Sequence, residues 1–231
     1  MTKKVAIVGY TSTKDLVPWD DNSVIVWGLN DLYDQIPRYN RWFEMHSRGP
    51  LIDGWKSSRT NRNHLEALQQ MQCPIYMQQK HENIPNSVAY PLQEIRDQFG
   101  GYFTNSVSYM IALAIAEGFT DIGIYGIDMA VNEEWSHQRP SCEYFIGVAI
   151  GRGINVHIPE ASDLLKARCL YGYEQEKEEA FIAKLKQVQT DIDGKMQFSA
   201  GQELAHRDNK NQYIGAKNAI SEMLQVWGIQ K

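Results

Sequence analysis

The sequence predicts an α/β fold, in which a mostly parallel β-sheet lies between helices and a helical arm is appended at the C-terminus. Short apolar runs without polar alternation, which are typical of strands covered on both faces, alternate with helical stretches over residues 1–170. From residue 171 the composition changes to Glu, Lys and Gln, and the sheet-forming runs end. We therefore expect a Rossmann-like domain at 1–170 and a helical arm at 171–231.

A helix followed by a buried strand is predicted in the middle of the chain. Thr104, Asn105 and Ser106 can each cap a helix N-terminus, and apolar residues follow at helical spacing. The helix should begin near Asn105 and end at Gly118. The apolar run at 122–125 then predicts a strand of a parallel sheet.

Glycine, polar or acidic residues follow three of the predicted strands. They are Gly126 and Asp128 after the run at 122–125, Asn30 after the run at 24–27, and His46 after the weakly alternating segment at 41–45. Ligands of open α/β sheets bind beyond the carboxyl ends of the strands, so these residues and the helix start should share a crevice. The sequence predicts that this crevice holds a small anionic ligand. Asn30 has an alternative interpretation, as the cap of a helix at 31–36.

The turn after the first predicted strand, 5–8, is of the type that holds a phosphate. Gly9 ends the strand, and Thr11 and Ser12 follow with small hydroxyl side chains. Such hydroxyls, together with free backbone amides, can bind a phosphate, although a solvated turn would have the same sequence. A single glycine is not a G-x-G-x-x-G fingerprint, so a dinucleotide is not predicted.

The loop at 132–140 concentrates groups that transfer protons or bind anions. His137 is a candidate general acid or base, because an imidazole titrates near neutral pH, and the Arg139 guanidinium suits a phosphate or carboxylate. Glu134 is a further candidate. The alternative interpretation is an exposed loop without a function. We expect no metal, because the predicted domain at 1–170 has no D-x-D motif of the kind that holds a divalent cation on a diphosphate, but Asp128 with Glu133 or Glu134 could recruit Mg²⁺.

Composition argues against several classes of protein. The formal net charge is −5 and no Lys/Arg run is present, so direct binding to nucleic acid is not expected. No apolar run is long enough to span a bilayer, and the N-terminus leads directly into a strand, so a cytoplasmic protein is expected. Cys73, Cys142 and Cys169 are far apart and lack zinc-site spacing, which predicts reduced thiols.

The other elements of the domain are predicted from apolar spacing and turn residues. His64 is expected on the surface of its helix, and His157 is expected to be packed inside its strand. The predicted elements are a helix at 61–71, a strand at 74–77, helices at 92–99 and 141–152, a strand at 154–158 and a helix at 159–168.

The arm carries two apolar stripes, separated at Asp193-Gly194. The stripes are Phe181, Leu185, Val188 and Ile192, then Tyr213, Ala216, Ile220, Met223 and Trp227. Burial of each large apolar side chain is worth about 1.5–3 kcal/mol, so the stripes should not remain in water. We expect the arm to pack partly between subunits and to give a homo-oligomer.

The segment GYFTNSVSYMIALAIAEGFTDIGIYGIDM resembles one shared by the family 42 bacterial sialyltransferases and the related archaeal pterin pyrophosphokinase and motility-accessory proteins. VAIVGYTST and WGLND are similar to the first two strand ends of that superfamily, and the resemblance spans about 5–165. It implies that His137 lies where those sialyltransferases keep a base. It also implies a nucleotide or nucleotide sugar among Gly9, Thr11, Ser12, Asn30, Thr104, Asn105, Ser106, Gly126 and Asp128.

Two positions depart from the sialyltransferase pattern. Tyr10-Thr11 stands in place of Asn-Gly-Pro, and Met129 and Val131 stand where those enzymes have tyrosines, so a cytidylyl sugar in particular is not implied. The chain also resembles phage-encoded proteins of this type. That resemblance implies the host cytoplasm and leaves DNA-modification and host-defence roles open.

The preferred function is that of a transferase with a nucleotide-activated donor, and glycosyl transfer is the preferred reaction. Arg139 would support the charge of the leaving group, and His137 would deprotonate the acceptor hydroxyl. One alternative is a non-enzymatic protein that binds or sequesters a nucleotide. A nucleotide-dependent pyrophosphokinase, which would need Mg²⁺, is another.

Overall fold

The structure, a computed structural model, describes residues 2–46, 56, 62–130, 134–167, 170–171, 175–200 and 207–226. The chain forms two compact units, at 1–165 and 166–231.

The first unit is built on a seven-stranded sheet in which every strand pair is parallel. The α/β prediction is therefore confirmed. Along the sheet the strand order is β5-β4-β3-β2-β1-β6-β7. The strands are β1 (Lys4–Val8), β2 (Val24–Leu29), β3 (Arg41–Glu44), β4 (Ile75–Met77), β5 (Ser87–Ala89), β6 (Asp121–Tyr125) and β7 (Asn155–His157).

The strand order reverses direction at β1. The chain builds outward from β1 through β2 to β5 and then returns to place β6 on the other side of β1. Val8 at the end of β1 is in register with Tyr125 at the end of β6, so the two strands finish side by side. Ligands of open α/β sheets bind at such a reversal.

Helices cover the sheet because their apolar positions, like those of the strands, have to be buried. Two clusters of buried side chains form the core: one contains Trp27, Phe43 and much of α3, and the other contains Trp42, Leu68 and Tyr125. The helices of the first unit are α1 (His64–Gln70), α2 (Leu92–Phe99), α3 (Ser106–Ala116) and α4 (Arg139–Gly151).

The predicted boundaries of α3 are confirmed. Asn105 caps the helix, and its side-chain oxygen accepts a hydrogen bond from the Ser108 amide at 2.9 Å. Gly118 follows the helix at φ +73°, a left-handed conformation that glycine adopts without a steric penalty.

Several predicted elements differ from those in the structure. No helix forms between 159 and 167 in the described chain, where the Ser162 hydroxyl is buried and donates to the Ile127 carbonyl at 2.8 Å. The segment at 31–36 contains only a 3₁₀ turn, Leu32–Asp34. His157 is exposed on β7, an edge strand, with one face of its ring near Tyr125, at 5.4 Å between ring centroids. β5 was not predicted, because its three residues are too short for a periodic pattern.

The second unit consists of α5 (Gln175–Ala200) and α6 (Arg207–Val226), which pack against each other. α5 continues through Gly194, where the sequence predicts an interruption; Asp193 forms an ion pair with Lys217 of α6 at 2.8 Å. A glycine inside a helix costs about 1 kcal/mol, which packing between helices can offset. Trp227 lies outside the described residues. None of the described helices is both long and apolar enough to cross a bilayer.

Candidate functional site

A cavity of about 670 Å³ opens at the carboxyl ends of the central strands, and we call it the crevice. It is bounded by the ends of β1, β2, β3 and β6 and by the start of α3. The polar and glycine residues along it include Gly9, Tyr10, Thr11, Asn30, Asp31, Glu44, His46, Thr104, Asn105, Ser106, Gly126 and Asp128. The predicted strand-end residues and helix start are thus brought to one place.

Gly9 and Gly126 allow the ends of β1 and β6 to meet at the base of the crevice. A Cβ atom added to Gly9 would lie 2.5 Å from the Gly126 carbonyl oxygen, and one added to Gly126 would collide with the Gly9 carbonyl. Gly126 also has φ +66°. Both positions therefore require glycine for the backbones to approach this closely.

The turn after β1 differs from the predicted phosphate-binding turn, because its polar groups form hydrogen bonds with the end of β6. The Thr11 amide donates to the Gly126 carbonyl at 2.9 Å, and the Gly126 amide donates to the Thr13 hydroxyl at 2.7 Å. Ser12 begins a 3₁₀ turn and does not line the crevice. With the Thr11 amide already bonded and Ser12 outside, this turn offers little to a phosphate.

The start of α3 provides the hydrogen-bond donors of the crevice. Amides in the first turn of a helix have no intrahelical acceptor, and Asn105 caps only that of Ser108. Within the described residues the amides of Ser106 and Val107 have no acceptor, and they lie at the positive end of the helix dipole. The Ser106 hydroxyl likewise has no hydrogen-bond partner within the described parts of the chain.

Thr104 and Asn105 hold the start of α3 against the start of α4. The Thr104 hydroxyl donates to the His137 carbonyl at 2.7 Å, and the Asn105 side-chain amide donates to the Gln138 carbonyl at 2.8 Å. The two side chains thus fix the backbone from which the free amides project.

Two acceptor oxygens in the crevice are buried without a hydrogen-bond partner among the described residues. They are Oδ1 of Asn30 and Oδ1 of Asp128. Asn30 has φ +50°, and its carbonyl accepts from the Trp42 indole at 2.9 Å, so the residue is held in this conformation instead of capping a helix. Leaving a buried acceptor unpaired costs about 1–3 kcal/mol. Both oxygens therefore favour a ligand that brings hydrogen-bond donors.

Glu44 lies fully buried at the end of β3 with an imidazole on each carboxylate oxygen. Its Oε1 is 2.6 Å from His46 Nδ1 and also accepts from the His46 amide at 3.0 Å. Its Oε2 is 2.9 Å from His64 Nε2. His64 is 1% exposed, so its predicted surface position is wrong, because its ring packs on Tyr33 and bonds Glu44.

The pKa values of this cluster move in opposite directions. Burial disfavours the charged form of Glu44, but hydrogen bonds from His46 and His64 outweigh burial and lower the pKa of the carboxyl group. The hydrogen bond to Glu44 raises the pKa of His46, against the effect of burial, and the charges of Glu44 and Asp31 add to the increase. The pair is therefore stabilised as a carboxylate and an imidazolium.

The structure does not bring His137 and Arg139 to the crevice. The His137 side chain is exposed, and its backbone carbonyl is what contacts Thr104. The Arg139 guanidinium donates to Glu143 at 2.7 Å and to the Asp163 carbonyl, so it joins α4 to the segment beyond β7. Neither side chain lines the cavity. The side chain of Glu134 and the whole of Glu133 lie outside the described parts.

Sequence reasoning missed several residues of the crevice, and four of them carry charged or titratable side chains that interact within the site. They are Tyr10, Asp31, Glu44 and His64. The Tyr10 hydroxyl donates to the buried Asp31 carboxylate and ties the first turn to the end of β2. An acid in the apolar segment at 41–45 was the available signal for Glu44.

The described residues contain no group of three or more His, Cys, Asp or Glu side chains arranged to hold a metal ion. Cys73 and Cys142 are buried free thiols, and Cys169 lies outside the described residues. Burial raises the pKa of Cys73 to about 11, so this thiol stays protonated at neutral pH. Thiol chemistry at Cys73 is therefore not expected.

No protein-family model and no curated protein sequence matches the chain. Among solved structures, the chain is similar to the sialyltransferase CstII from Campylobacter jejuni in complex with the substrate analogue CMP-3FNeuAc. The TM-score is 0.46, and the two sequences are 18% identical over 68% of this chain and 81% of that one. The chain is also similar to this sialyltransferase with a trisaccharide acceptor and CMP, with a TM-score of 0.42 and 16% identity over 68% and 80% of the two chains. At these identities the similarity is distant.

Proposed function

We propose that the protein is a transferase that uses a nucleotide-activated donor, with glycosyl transfer as its reaction. The observation that carries this proposal is the polarity of the crevice. Amides of α3 that have no acceptor among the described residues lie at one wall, and the oxygens of Asn30 and Asp128 that have no donor among those residues lie at the strand ends.

A nucleotide complements both sets of groups. Its phosphate is an acceptor for the Ser106 and Val107 amides, and an anion at a helix N-terminus is favoured by the helix dipole. Its ribose hydroxyls and base amino group are donors for the oxygens of Asn30 and Asp128. A bare inorganic anion would satisfy the amides, but it would leave both oxygens unpaired and would be repelled by Asp128. The crevice therefore favours a ligand with a phosphate and several hydrogen-bond donors.

The same arrangement supports transfer from the bound nucleotide. When the bond between the donor carbon and the phosphate oxygen breaks, negative charge develops on the phosphate. Amides already aimed at that charge stabilise it without reorganising during the reaction. The acceptor hydroxyl must lose a proton in the same step, which requires a base at the crevice.

Nucleotide release from activated donors tests the proposal. We expect the protein to release nucleotide from at least one donor in a panel of CMP-, UDP-, GDP- and ADP-sugars. Asp128→Ala should weaken binding of the matching nucleotide at least about tenfold, since a hydrogen bond to a charged group contributes about 1.5–3 kcal/mol. Asp15→Ala is the matched control, because the Asp15 carboxylate is 77% exposed and lies outside the crevice. Tight nucleotide binding without product from any donor would contradict the transferase and leave a sequestering protein.

A further inference from the structure

The Glu44 cluster is built asymmetrically. Both imidazoles bond the same buried carboxylate and both line the crevice, but the His64 side chain is 1% exposed whereas that of His46 is 52% exposed. Nδ1 of His46 is the nitrogen that faces Glu44. Within the described residues, the opposite nitrogen, Nε2, forms no hydrogen bond. An imidazole with one nitrogen held by a carboxylate and the other open to a cavity has the arrangement of a general base.

We propose that His46 is the general base of the crevice and that Glu44 is its positioning residue. This inference rests on the proposed transferase function. In the reacting form Nδ1–H donates to Glu44, which leaves the Nε2 lone pair for the acceptor. The acceptor hydroxyl gives its proton to Nε2 while its oxygen bonds the donor carbon. The bond between that carbon and the phosphate oxygen breaks, and its electron pair leaves with the nucleotide.

His64 fixes the orientation of Glu44. With Oε1 on His46 and Oε2 on His64, the buried carboxylate cannot rotate without losing a hydrogen bond. His64 is itself placed by Tyr33, whose ring lies 5.6 Å from the imidazole in a stacked arrangement and whose hydroxyl is 3.3 Å from Nδ1. The buried half of the cluster therefore supports the exposed half.

Protonation of His46 makes the reaction depend on pH. In the described parts of the chain, the charged or titratable groups around it include Glu44 at the end of β3, Asp31 after β2, His64 of α1 behind Glu44, and Asp128, which lines the same crevice after β6. Only the neutral imidazole accepts a proton, and Glu44 raises the pKa of His46. The rate should therefore rise with pH through the pKa of His46. Glu44→Gln removes the negative charge, so the acid limb should move to lower pH.

The test compares three single substitutions of histidine by glutamine. CMP, UMP, GMP and AMP are titrated by calorimetry, and nucleotide release is followed with the matching sugars. For His46→Gln we expect kcat to fall about 10²–10⁴-fold, the usual contribution of a general base, with the nucleotide Kd unchanged within about threefold. His157→Gln, on an exposed edge strand, is the control and should keep its rate. His137→Gln tests the competing base.

The outcomes separate this inference from the proposed function. The inference is overturned, and the transferase stands, if kcat of His46→Gln stays within about threefold of the unmodified protein. The same holds if the loss of kcat occurs in His137→Gln and not in His46→Gln. If the unmodified protein binds no nucleotide, the proposed function itself fails. NMR titration of the His46 ring gives a second readout that does not need turnover. Its pKa should fall in Glu44→Gln, and an unchanged pKa would overturn the positioning role.

Discussion

Asn105→Ala should destabilise the first unit by about 2 kcal/mol. The substitution removes the cap of the Ser108 amide, worth about 1 kcal/mol, and the hydrogen bond to the Gln138 carbonyl, worth about 0.5–1.5 kcal/mol. For a chain of this size, that loss corresponds to a decrease in Tm of about 4–8 °C. Because Asn105 holds the α3 amides, affinity for an anionic ligand should fall as well.

Asn105→Ser separates the two contributions. Serine caps a helix nearly as well as asparagine but cannot reach the Gln138 carbonyl with a side-chain amide, so it should cost only about 1 kcal/mol. Urea unfolding followed by circular dichroism gives both free energies. A loss below about 0.5 kcal/mol for Asn105→Ala, or equal losses for the two variants, would refute the assigned cap, since a cap loss is worth about 1 kcal/mol.

Three further predictions concern the buried cluster and the arm. His64→Leu should lower the free energy of unfolding by about 1–3 kcal/mol, because Oε2 of Glu44 is left buried without its partner. The control His157→Leu, on the exposed edge strand, should change the free energy of unfolding by less than about 0.5 kcal/mol. The stability difference between the unmodified protein and Glu44→Gln should be largest between pH 4.5 and 6.5. The difference should shrink at lower pH, because the Glu44 carboxylate with its lowered pKa is protonated there. It should also shrink at higher pH, because His46 with its raised pKa loses its proton. A constant difference in urea midpoints across pH 4–8 would contradict the ion pair. Leu185→Glu should dissociate an oligomer that light scattering detects at micromolar concentration, and a strictly monomeric unmodified protein would exclude packing of the arm between subunits.

The strands and helices that sequence reasoning predicted correctly are those with a local signal. The apolar runs at 5–8 and 122–125 belong to β1 and β6, and the cap residue Asn105 marks the start of α3. Such signals lie within a few neighbouring residues. They do not depend on the rest of the fold.

The features that were missed depend on distant contacts. Glu44 can be buried because His64, twenty residues later, forms a hydrogen bond with one of its oxygens, and no local pattern shows that pairing. Gly194 remains helical because α6 packs on α5. The residue types at 132–140 suggested a catalytic loop, but Arg139 serves α4, since its partners Glu143 and Asp163 lie further along the chain.

The central claim is tested most directly by measuring, with calorimetry, the affinity of the protein for a nucleoside monophosphate and for the corresponding nucleoside. If the phosphate binds the free amides of α3 and the nucleoside binds Asn30 and Asp128, the monophosphate should bind at least about tenfold more tightly, since one charge-assisted hydrogen bond contributes about 1.5–3 kcal/mol. Asp128→Ala should weaken both ligands. Equal affinities for nucleotide and nucleoside, or no binding of CMP, UMP, GMP or AMP, would contradict the account.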